Sequence, residues 1–270
     1  MDILRLALLG LAAGIAIIFG ANFLLEISHA EKEGPALASA TTQIVDPMQV
    51  ARAKIEKRIA TTAPDYMRFF DRLKELLPDE YNRILDDFAR QSLEGADMNN
   101  VDSLLSEAVR TLRLSNGTYA AKADSAALSR IFDLQLAMMR ALSTKDPKLC
   151  VDFLYGGASQ AFFEFSSQNR PLVADMAVAG LEAITDGRAK LIERRPPSDG
   201  DFGLLESALK AKQVSQPEIS AILDGKNPTP PIGAARMCEV GQIYLQTLTE
   251  LPAESRDRIY GLAVELMAHS

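Results

Sequence analysis

Tryptophan is absent, aromatic residues make up only 6 %, and 270 residues contain two histidines and two cysteines. Each scarcity excludes something. The histidines are His29, beside an apolar run, and His269, one residue from the end. A histidine general base would have to be one of these two, so Ser–His–Asp and Cys–His catalysis and His-ligated zinc are disfavoured. Without tryptophan there is no obvious platform for stacking sugars. Neither cysteine belongs to a C-x-x-C pair or has a histidine close in sequence to make a thiolate. The phosphate-binding patterns G-x-x-x-x-G-K-[ST] and G-x-G-x-x-G after a strand are both missing, so no cofactor is implied. Positive charge is short as well: 29 Lys and Arg against 36 Asp and Glu, a net charge of −7. Non-specific nucleic-acid binding needs basic side chains to neutralise phosphates, so no nucleic-acid partner is expected.

What the chain does have is an apolar start. Between Arg5 and Glu26 lie twenty uncharged residues. As a helix they would span roughly 30 Å, the thickness of a bilayer's hydrocarbon core. A core helix would carry a polar stripe; here Asn22 is the one strongly polar side chain. Residues 4–25 are therefore expected to contact the lipid bilayer, within a single-pass signal anchor at 1–30. Arg5 lies on the N-terminal side, and the basic group Arg52, Lys54, Lys57 and Arg58 is too far along to compete. The expected orientation keeps the N-terminus in the cytoplasm and exports the rest, to the periplasm if the cell is bacterial. Ser28-His29-Ala30 also offers small residues where a signal peptidase reads, so cleavage after Ala30 is the alternative. Gly10 and Gly14 form a G-x-x-x-G pair through which two anchors could pair weakly.

Residues 31–46 read as a tether, and 47–270 as punctuated helix. Asp46-Pro47, Pro64, Pro78 and Asp146-Pro147 are helix starts, because proline is tolerated in a first turn whose N–H groups lack partners. Apolar residues recur at spacings of three and four, as in Met67, Phe70, Leu73 and Leu77. Gly95 reads as a stop, as does Asn116-Gly117, so one helix is expected to end at Leu114 and another to run from Thr118 to about Ser143. Pro171 is expected to break or kink a helix. Further helices are expected near 202–213, 216–224, 233–249 and 253–267. No segment alternates apolar and polar residues as a half-buried strand would. The prediction is an all-α body of roughly eight to ten helices, with a possible subdivision at the 194–203 loop, "RRPPSDGDFG".

Cys150 and Cys238 each have apolar neighbours three or four residues on, which places both on buried helical faces. In a reducing compartment they would be inert core thiols; on the exported side an even count of two favours a disulfide. The cluster Phe153, Tyr155, Phe162, Phe163 and Phe165 reads as core. The stretches "ADMNNVD" and "SDGDFG" look faintly like calcium loops but lack the alternating oxygen ligands and distal Glu, and read as helix caps. Asn116-Gly117-Thr118 matches a glycosylation acceptor.

Two short resemblances suggest other chemistry. Glu206-Ser207 in "FGLLESALKAK" is similar to the Glu-Ser pair of all-α lytic transglycosylases, which would make Glu206 an acid catalyst in an envelope hydrolase; the Gly-rich segment of those enzymes is missing downstream. The stretch "KQVSQPEISAILDGKNPTP" (212–230) resembles the second half of a phage-repressor helix-turn-helix. The resemblance implies that Ser215, Gln216, Glu218 and Ser220 face bases and that Lys226 meets a phosphate. It departs where the turn glycine is Gln213 and where Leu209 would crowd the helix crossing. That reading needs a cytoplasmic body. The residues as a whole favour a membrane-tethered helical domain whose work is binding or assembly in the envelope, with a protein or peptide partner, over catalysis.

Overall fold

The computed structural model describes residues 46–155, 159–226 and 228–269. The apolar run at 4–25, with Gly10, Gly14 and the cut after Ala30, lies outside the described residues, as does nearly all of the 31–46 tether. Among the described residues no helix is long and apolar enough to cross a membrane.

The described chain is all helix. In order come α1 (Pro47–Thr62), α2 (Pro64–Leu76), α3 (Pro78–Leu93), α4 (Val101–Ala120), α5 (Ser125–Lys145), α6 (Pro147–Leu154), α7 (Gln160–Gln168), α8 (Arg170–Lys190), α9 (Asp199–Ala211), α10 (Gln216–Asp224), α11 (Ala234–Glu250) and α12 (Ala253–Ala268). These twelve exceed the expected eight to ten, because short helices such as α6 and α7 stand as separate elements. Prolines open α1, α2, α3, α6 and α8, as their fixed φ and missing donor allow. Pro171 thus separates α7 from α8.

One boundary differs from the expectation. Asn116-Gly117 does not end α4, which continues to Ala120. Asn116 is 6 % exposed; its amide donates to Glu80 Oε1 at 2.9 Å. A Cβ on Gly117 would stand 3.0 Å from the Ala268 Cβ, so the glycine serves a close helix contact instead of a turn. The break falls later, where the Asp124 side chain caps α5 by accepting from Ala127 N. The folded chain leaves no space for a glycan on the buried Asn116 amide.

Four helices form a ring. α4 packs on α8, α8 on α5, α5 on α12 and α12 on α4. Two pins set α4 and α8 parallel. At one end the Arg170 guanidinium grips Asp102 with two bonds, 3.0 and 2.9 Å. At the other, Gly187 lies against the Tyr119 carbonyl. Both pins hold the same offset of 68 residues. α12 runs the other way along α4, since Gly261 faces Ala121 and Ala268 faces Gly117. α5 runs beside α12 in the same direction: Ser125 bonds Asp257, and the Phe132 ring stacks on Tyr260 at 3.9 Å. Two parallel pairs therefore face each other antiparallel.

α1, α2 and α3 close one side, with α2 on α8. Here the fully buried Tyr66 donates to Asp102 Oδ1 at 2.5 Å. Burial, then the neighbouring Asp102, raises the Tyr66 hydroxyl far above its ordinary pKa. Burial works against the Asp102 charge, but the hydrogen bonds from Arg170 and Tyr66 win and hold that carboxyl below its usual range. On the opposite side α6 and α11 pack on α5, and the sulfurs of Cys150 and Cys238 lie 2.00 Å apart, within bonding distance. The segment after α8 crosses the α4–α5 junction: Ile192 N donates to the Lys122 carbonyl and Arg194 to those of Ala121 and Ala123. One continuous apolar core runs on both sides of the 194–203 loop.

Candidate functional site

The ring of four helices does not fill its own axis. An apolar slot of about 100 Å³ remains between them. α4 contributes Leu105, Val109, Leu112 and Gly117; α8 contributes Val173, Met176, Ala177 and Gly180. Ile131 and Leu134 face it from α5, and Val264, Met267 and Ala268 from α12. Phe69 of α2 lines it beside Leu105 and Val173.

The lining is almost featureless chemically. Among the described residues Arg113 is the single charged side chain in it, and its guanidinium donates to the Met267 carbonyl at 2.8 Å. Burial, and then Arg110, lowers the Arg113 pKa from an ordinary value so high that the group stays cationic. The void follows from small side chains: Gly117, Ala120, Ala177, Gly180 and Ala268 all stand on its wall.

Gly180 sharpens the point. Five glycines lie within α4, α8, α11 and α12. A Cβ on Gly117, Gly187, Gly241 or Gly261 would meet another atom at 3.2 Å or less, whereas one on Gly180 would meet nothing within 4 Å. No close helix approach explains Gly180, and glycine inside a helix costs about 1 kcal/mol relative to alanine. Gly180→Ala is therefore expected to raise stability by about 1 kcal/mol in a urea titration; a loss of stability would show that the wall is tighter than described.

The residues singled out in the sequence lie elsewhere. Cys150 and Cys238 form the close sulfur pair behind α5, away from the slot. Phe153, Phe162 and Phe165 are buried, with Phe153 and Phe162 stacked at 5.8 Å, so they pack as core. Asn100 caps α4 by accepting from Asp102 N and Ser103 N, and Ser198 with Asp201 forms a capping box on α9; the two lookalike calcium loops are caps. Asp201, 3 % exposed, is gripped by Arg258 through bonds of 3.0 and 2.6 Å. Arg258 first, then Ser255 and Ser198, holds that carboxyl well below the usual range.

Glu206 pairs with Lys210 at 2.7 Å. Lys210, then Gln216, lowers its pKa, which favours the ionised form and opposes the protonated one an acid catalyst needs. In the 212–230 stretch α9 and α10 do form a helical hairpin. Gln213 takes the left-handed conformation, φ 64°, where glycine would be unstrained. Glu218 accepts from Ser215 N at 2.8 Å and is held by Arg236 at 2.6 and 3.0 Å. Its carboxylate is spent on Ser215 and on Arg236 of α11, and Lys226 pairs with Asp224.

Arg236 holds the Glu218 pKa at about 2, against an ordinary 4.5. A carboxyl depressed in the folded state stabilises fully above its unfolded value and loses that contribution as pH falls through the folded one. The Glu218 contribution is thus expected to fade between pH 4.5 and 2. Glu218→Gln should flatten that part of the stability profile, measured by urea titration at stepped pH; an unchanged profile would mean that the pair contributes nothing.

Nothing in the sequence marked the slot, because its lining is drawn from four separated helices. Among the described residues no group of three or more His, Cys, Asp or Glu side chains is placed to hold a metal ion. Comparison of the chain with protein-family models, with curated proteins and with solved structures returns no match.

Proposed function

We propose that this chain is a membrane-tethered, exported helical domain that acts by binding or assembly in the cell envelope, not by catalysis. The observation that carries the binding half is the slot: an apolar cavity between helices of a bundle, where ligands commonly lodge. The uncharged run at 4–25, with Arg5 on its N-terminal side, supports the tether and its orientation. Two cysteine sulfurs at bonding distance fit an oxidising compartment, where such pairs persist. A tether confines the body to the membrane face and raises its effective concentration toward any envelope partner.

The test is topology mapping with reporters fused after Ser270. A reporter that works only when exported should be active. Activity solely from a cytoplasmic reporter would overturn the reading and return interest to the α9–α10 hairpin as a nucleic-acid contact, which a gel-shift assay would then examine.

A further inference from the structure

We infer that the slot binds one extended hydrocarbon chain, the alkyl part of a fatty acid or of a membrane lipid. The inference rests on the reading of the slot as a ligand site and deepens it. Shape is the first argument. The lining runs from Leu105 to Ala120 along α4 and from Val173 to Ile184 along α8. At a rise of 1.5 Å per residue that is roughly 16–23 Å of helix. A volume of about 100 Å³ spread over such a length is long and narrow. A partner's leucine or phenylalanine would need a compact pocket; an unbranched chain needs length and little width.

Chemistry is the second argument. Apart from Arg113 the described lining residues offer no polar side chain, so a ligand carrying hydroxyl or amide groups within the slot would leave them unpaired. An alkyl chain brings none. Arg113 stands in the wall at the level where α12 ends on Ala268, its guanidinium donating to the Met267 carbonyl, so that end is closed and a ligand's polar head stays outside, at the entrance.

Access is the third. α12 covers the slot from Gly261 to Ala268, level with Ala121 to Gly117. Toward Leu105 the walls are α4, α5 and α8, and Val109, Leu134, Met176 and Gly180 are half-buried, which opens a side entrance. Gly180, with open space where a side chain would be, keeps that entrance wide.

The test uses the full chain in lipid nanodiscs and two photoreactive probes. One is a palmitic acid bearing a terminal diazirine. The other is a phosphatidylcholine with the same diazirine on one chain. After photolysis, labelled peptides are located by mass spectrometry. Adducts on the lining of α4 and α8, Met176 among them, are expected; the arm that yields them identifies a free acid or a membrane lipid as the source. No adduct on the lining in either arm would overturn the inference. Labelling of residues 4–25 reports separately on the tether, so the slot and the anchor fail independently. Gly180→Leu and Ala177→Leu each fill the slot and should lose the lining adducts. A folded variant of either kind that labels like the parent would also overturn the inference.

Discussion

Replacing Cys150 and Cys238 together by alanine is expected to lower stability by about 4–5 kcal/mol. The argument concerns the unfolded chain. A bond between these residues, 88 apart, closes a loop containing all of α7, α8, α9 and α10. Closing a loop of that length removes a large share of the conformations available on unfolding. Both side chains are buried, and Cys238 Sγ accepts from Gln242 Nε2 at 3.3 Å. Since typical domains hold together by about 5–15 kcal/mol, the loss would be a large part of the whole. Urea titration of parent and double variant measures it. Thiol labelling of exported protein under denaturing, non-reducing conditions gives a second reading: two freely reacting cysteines would show that the pair is not bonded.

Gly187→Ala is expected to cost about 3 kcal/mol or more, although alanine is the better helix former by about 1 kcal/mol. A Cβ at Gly187 would stand 1.8 Å from the Tyr119 carbonyl oxygen and 2.7 Å from its carbon. Both are backbone atoms, so no rotamer change relieves the clash; α8 must move off α4. Because those helices form two walls of the slot, the damage would spread along it. For a domain of this size the loss corresponds to a fall in melting temperature of roughly 6–12 °C. Thermal unfolding of the single variant checks this. An unchanged melting point would mean that the two helices are not pinned there. The contrast with Gly180→Ala, seven residues earlier on the same helix and opposite in expected sign, makes the pair a direct probe of how α8 sits.

Fold class was legible because helix punctuation is local. Pro47, Pro64, Pro78 and Pro147 begin helices for the reason proline anywhere suits a first turn, and the predicted 216–224 helix coincides with α10. Asn116-Gly117 misled because glycine has two uses that look alike in sequence. It can end a helix by adopting positive φ, as Gly225 does after α10. It can also remove a side chain where two helices touch, as Gly117 does against Ala268. Only the partner, some 150 residues further on, distinguishes them. The slot was illegible for the same reason. Ala177 and Gly180 look like ordinary helix residues until Ile131 and Val264 are known to face them across an axis. The proximity of Cys150 and Cys238 was inferred from their number and from the expected compartment, not from any pattern around them.

The parallel pairing of α4 with α8 also bears on how the chain acquires its shape while it is being made. A ribosome adding about 5–20 residues per second needs several seconds to produce the 68 residues that separate the paired positions. Through that interval the apolar stripe of α4 has neither α8 nor α12 to cover it. The nascent body therefore presents greasy surface to whatever waits outside the exit tunnel, and holding factors can engage that stripe before α8 emerges.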